Sequence, residues 1–168
     1  MRIDAALFAV ALASPCAVPA KAQTIVDPHA VYERHCIRCH SEHGADLARL
    51  RMNVTDGKLL VRRNSGPMEK LLRNHQGITL TDAEQRGLLT LFVAGIKWDG
   101  VYQHRCAKCH GPAVSFARDK LAVAGEKILT TTGNRDVGEF LKSHGEATAS
   151  EIALLMDMLR FQLETKPR

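Results

Sequence analysis

Val31-Tyr32-Glu33-Arg34-His35-Cys36-Ile37-Arg38-Cys39-His40 recurs as Val101-Tyr102-Gln103-His104-Arg105-Cys106-Ala107-Lys108-Cys109-His110, an offset of 70 residues, and each copy ends in Cys-x-x-Cys-His. On one helical turn this spacing presents two thiols and an imidazole together. Two thiols can add to the two vinyl groups of a haem while the adjoining histidine ligates the iron, which is the chemistry of c-type haem attachment. A zinc site or a redox dithiol would draw on the same cysteines. The duplication, with the histidine and the upstream tyrosine present both times, favours haem. Cys36, Cys39, Cys106 and Cys109 are therefore read as the thioether residues of two covalently bound haem c groups, and His40 and His110 as their proximal iron ligands.

Working outward, residues 1–22 read as a secretory signal peptide: Arg2, the apolar run Ala5 to Ala13, and Ala20-Lys21-Ala22 before Gln23. A lipid-anchored Cys16 is the lesser alternative. The apolar run is shorter than the roughly 20 residues needed to span a bilayer, and no later window supplies one, so no transmembrane anchor and a periplasmic location are expected. Removal of the segment leaves about 146 of the 168 residues and lowers the formal charge from +5 to about +4. That length excludes a large multidomain enzyme. Apolar residues make up 45% and aromatics only 5%, so something other than rings is needed to fill the centre. The expected organisation is a first cytochrome-like unit over 23–97 and a second over 98–168, with the boundary near Gly95 to Gly100 and no linker long enough for independent motion. Trp98 is a candidate for the seam between them. Units of about 70 residues need haem burial for stability, so apo-protein is expected to fold poorly.

The sequence resembles a tandem diheme c-type cytochrome of the small, class I-like type, over essentially the whole mature chain. The resemblance implies an all-α fold, two small class I-like cytochrome c domains in tandem, each wrapped around a covalent haem. In that family an aromatic four residues before the first cysteine packs against the closing helix, and Tyr32 and Tyr102 hold that place. Local signals agree with such helices. Asp27-Pro28 is a cap and first-turn pair, Asp99 is expected to cap its counterpart, and Thr81 with Glu84 and Thr148 with Glu151 have capping-box spacing. The closing helices then match Leu88, Leu91, Phe92 and Ile96 with Leu155, Met158, Leu159 and Leu163.

The repeat also bears on the sixth iron ligand. Sliding Gly57 through His75 onto Glu126 through His144, an offset of 69, superposes Lys58 on Lys127, Leu72 on Leu141 and His75 on His144. No methionine has such a counterpart, so Met156 and Met158 read as packing residues. His75 and His144 are thus the candidate distal ligands, the alternative being surface cations that end short helices. Met68 remains an alternative distal ligand of the first haem, because Pro67-Met68 before the last helix is similar to the methionine-ligated members of the family. His29, His35, His43 and His104 read as solvent-facing or in contact with haem propionates.

Charge is uneven. Residues 47–75 balance to +5, whereas 117–144 balance to +1. Nucleic acid is not an expected partner for an exported haem protein; periplasmic redox proteins with an acidic docking surface fit better. The alternative is that these side chains simply solvate a face. Two strong axial ligands imply an electron carrier rather than an enzyme, either a shuttle or the cytochrome subunit of a dehydrogenase or reductase. The competing reading is a gas-binding or peroxidase-like protein with one open axial position. Oligomeric state leaves no signal in the sequence.

Overall fold

The computed structural model describes residues 26–165, so the expected signal segment lies outside the described residues. Asp27 opens the first helix, α1 (Pro28–His35), by accepting from the His29 and Ala30 amides at 3.0 and 3.4 Å, with Pro28 in the first turn where its missing amide costs nothing. The chain continues through the Cys36–His40 turn to α2 (Gly44–Arg51), β1 (Met52–Thr55), β2 (Lys58–Val61), α3 (Met68–Arg73) and α4 (Asp82–Trp98). The second half repeats the order with α5 (Val101–Arg105), α6 (Ala107–His110), α7 (Ala113–Lys120), β3 (Leu121–Ala124), β4 (Lys127–Thr130), α8 (Val137–Leu141) and α9 (Ala149–Glu164).

The all-α expectation is overturned by two antiparallel hairpins, β1 with β2 and β3 with β4. Local chemistry explains both. Asp56 and Gly57 take φ of 48° and 72°, the pair of left-handed residues that a two-residue turn needs to match strand twist. In the second hairpin Gly125 alone is left-handed, at 59°. The first hairpin sends Met52, at 3% exposure, into its core, and the second sends Leu121 at 4% and Ile128 at 0%.

The closing helices form as their caps dictate. In both, the threonine hydroxyl accepts the amide three residues on, and the glutamate there reaches back to the threonine amide, at 2.9 Å for Thr81 and 2.8 Å for Thr148. Leu88, Leu91 and Phe92 are buried in the first core and Leu155, Met158 and Leu159 in the second; Met156 packs at the edge of the second. Tyr32 meets Phe92 edge-on at 6.3 Å, and Tyr102 lies in the second core. Gly95 allows α4 to approach α2 closely, since a Cβ there would sit 2.6 Å from the Ala45 Cα. Asp99 does not cap α5. It is itself left-handed, at φ 45°, and closes α4, while Gly100 at φ 72° opens α5 with no side-chain cap.

The halves are joined by a built seam. Trp98, the last residue of α4, belongs by its side chain to the second core; it donates to Asp157 at 2.7 Å and meets Phe161 edge-on at 5.1 Å. Asp27 accepts from Arg118 Nη1 at 2.6 Å, and Arg118 Nε donates to the Gln162 carbonyl. Burial pushes the Asp27 carboxyl up, but the Arg118 bond and charge, with the two amides, outweigh it and hold the carboxyl below its ordinary value. Asp27 therefore serves a local helix start and a contact 91 residues away.

Candidate functional site

The two Cys-x-x-Cys-His segments share three main-chain bonds, although the first is a turn and the second closes into the short helix α6. Cys36 and Cys106 each donate to the tyrosine carbonyl four residues before, at 2.8 Å. Cys39 and Cys109 then bond back to that first cysteine at 3.1 Å, and His40 and His110 at 3.0 Å. One tight turn thus puts both sulfurs and the imidazole at the mouth of each half. All four cysteines are free thiols; Cys36 is buried, Cys106 half-buried, and Cys39 and Cys109 exposed. Burial pushes the Cys36 and Cys106 thiols up. A redox dithiol needs the opposite, a nucleophilic cysteine whose pKa is lowered.

Each motif histidine faces the second histidine expected from the repeat. The ring centres of His40 and His75 are 6.0 Å apart, and those of His110 and His144 are also 6.0 Å apart. Two metal–imidazole bonds of about 2 Å, with roughly 1 Å from each nitrogen to its ring centre, require about 6 Å. The residues that deliver the distal rings share a device. Gln76 and Gly77 follow His75 at φ 43° and 72°; Gly145 and Glu146 follow His144 at 82° and 51°. Two consecutive left-handed residues turn the chain sharply after each histidine toward the closing helix. In the second half a cavity of about 240 Å³ is lined by Cys106, Cys109, His110 and His144 together with apolar residues such as Leu121 and Leu155. Paired thiols, two imidazoles and an apolar lining fit a covalently held porphyrin.

Met68 occupies a different environment. It begins α3 and is 4% exposed within the first apolar core, where Val137 takes the same place in the second half. Among the described residues no three of His, Cys, Asp and Glu converge as a metal-holding group, so the four ligands of a tetrahedral zinc site are not assembled.

Some residues fall elsewhere than expected. His29 is not solvent-facing: it is 2% exposed and its Nδ1 lies 3.0 Å from His43 Nε2. The Ala45 amide donates to His43 Nδ1, so His43 carries its proton on Nε2 and donates to His29. Burial, then the neighbouring His43 and Arg118, push His29 down to about 4, although Asp27 and Gln162 oppose them. Within the basic stretch, Arg62 is engaged with the Met52 and Arg49 carbonyls, Arg73 pairs with Glu69 and Arg49 with Asp46. Aromatic partners of the second pair of histidines, Phe116 and Phe140, were not singled out by sequence; the spacing of Phe140 four residues before His144 is the signal that marks one of them.

No protein-family model, curated protein or solved structure matches the chain. No helix among the described residues is long and apolar enough to cross a membrane.

Proposed function

We propose that the protein is an exported diheme c-type cytochrome that passes single electrons between periplasmic redox partners, as a shuttle or as the cytochrome subunit of a larger oxidoreductase. The observation that carries this reading is the duplicated geometry, a free cysteine pair beside two imidazoles 6.0 Å apart, in both halves. Haem c held there supplies a one-electron ferric–ferrous couple. The chain's own part is retention and orientation. Cys36 with Cys39 and Cys106 with Cys109 would form the thioethers, and His40 with His75 and His110 with His144 would ligate the two irons. Two imidazoles per iron leave no position for a substrate, which is why an electron carrier is preferred to an enzyme. Exchange with an acidic partner would involve Arg51, Lys58, Arg63 and Lys70, which form no ion pair among the described residues, rather than Arg62.

The test is the purified holoprotein. Its mass should equal the chain cleaved before Gln23 plus two haems, its spectrum should be low-spin at both sites, and the reduced protein should not bind carbon monoxide. His75→Ala or His144→Ala should leave the haem attached but make that site high-spin and carbon monoxide-binding. A haem-free, stable product would overturn the proposal. Carbon monoxide binding to the unaltered protein would favour a gas-binding protein with one open axial position, and a methionine-sulfur band abolished by changing Met68 would reassign the first site.

A further inference from the structure

The two imidazole pairs share a spacing and differ in orientation. His40 and His75 lie 23° from parallel, whereas His110 and His144 cross at 66°. The neighbours differ in the same sense. His144 stacks on Phe140, with ring centres 4.5 Å apart and planes 24° apart, and the Arg135 guanidinium lies 4.9 Å above the Phe140 ring. His110 meets Phe116 at 4.6 Å and 54°. At the offset of 69 that relates the halves, the first has Leu71 for Phe140, Leu47 for Phe116 and Gly66 for Arg135. Aliphatic side chains accept any rotation of a neighbouring imidazole, but a face-to-face aromatic partner selects one plane. A cation over the far ring adds to its hold on that plane.

We propose that Phe140, steadied by Arg135, is a positioning residue that sets the plane of His144, so that the second half holds its iron between crossed imidazoles and the first between near-parallel ones. The inference rests on the bis-histidine reading above and adds to it that the two sites are electronically unlike. Each axial imidazole interacts through its π system with the iron d orbital lying normal to the ring plane. Near-parallel rings act on the same orbital and split the pair widely. Crossed rings act on one orbital each and leave the pair nearly degenerate, which preserves orbital magnetism in low-spin ferric iron. Chain orientation alone thus makes two sites of identical ligand type distinguishable.

Low-temperature electron paramagnetic resonance of the oxidised holoprotein tests this directly. Two low-spin signals of equal integrated intensity are expected, one rhombic and one dominated by a single large low-field g feature. Phe140→Leu should abolish the large-g signal and double the rhombic one, with both haems still attached, while Phe140→Tyr should restore it. If Phe140→Leu does not accumulate, Leu71→Phe carries the test, because an aromatic at the same position before His75 should shift the first signal toward larger g. Two rhombic signals in the unaltered protein, or a spectrum unmoved by these substitutions, would overturn the proposal and leave bis-histidine ligation standing. A high-spin, carbon monoxide-binding second site would remove His144 as a ligand and both readings with it.

Discussion

The first and second halves share a backbone almost bond for bond around their cysteine turns, yet only the second sets phenylalanines against its histidines, Phe116 on His110 and Phe140 on His144. Exposure differs too: His40 and His75 are half-buried, and His110 and His144 exposed. What is common to both is the main-chain turn and the capped closing helix. What differs is the side-chain packing that orients the rings.

The largest test of that comparison is deletion of one attachment site at a time. Cys36→Ala with Cys39→Ala, or Cys106→Ala with Cys109→Ala, should each remove one haem mass, and intact-mass measurement will show whether loss in one half leaves the other loaded. Because the halves share the seam from Trp98 to Phe161, thermal melting should fall in one cooperative transition rather than two. Next comes the seam itself. Arg118→Met leaves the Asp27 carboxylate buried without its partner and should cost about 3–5 kcal/mol in chemical denaturation.

The pH dependence of stability sharpens the same point, since the buried His29 has no like-placed histidine in the second half; at the offset of 70 that relates the opening helices, Asp99 stands there. The fold holds His29 at about 4, below the 6.5 of an unperturbed histidine. Between those values the unfolded chain takes a proton that the folded chain refuses. Stability should therefore be full above about 6.5, fall by about 3 kcal/mol as pH drops to 4, and level off below, with His29→Gln flattening the curve. The depressed Asp27 carboxyl adds a further loss only as pH falls below the ordinary carboxylate range. The smallest effect should be the most even one: Thr81→Ala and Thr148→Ala remove identical capping boxes and should each cost about 1 kcal/mol. A large inequality between them would show that the halves differ in backbone stability as well as in packing.

The helix starts at Asp27, Thr81 and Thr148 were legible because a cap is a local matter of four residues, and the histidine pairs because the repeat carries them in register. The hairpins were missed although Asp56-Gly57 stands between Met52-Asn53-Val54-Thr55 and Lys58-Leu59-Leu60-Val61, a turn signal between two strand-like runs. Four-residue strands give too short a period to outweigh the helical expectation that came with the family resemblance. The burial of His29 had no local sign, because Phe161 and Gln162, which help enclose it, come from the far end of the chain. Arg62 read as a surface charge for an equally plain reason: its partners are main-chain carbonyls, which a side-chain pattern does not reveal.

Trp98 ends α4 by its backbone and fills the second core by its indole. A chain severed beside it would give two damaged pieces: one would carry the helix with a naked indole and the other a hole where that indole had been. The motif is duplicated, but the core it sits on does not divide with it.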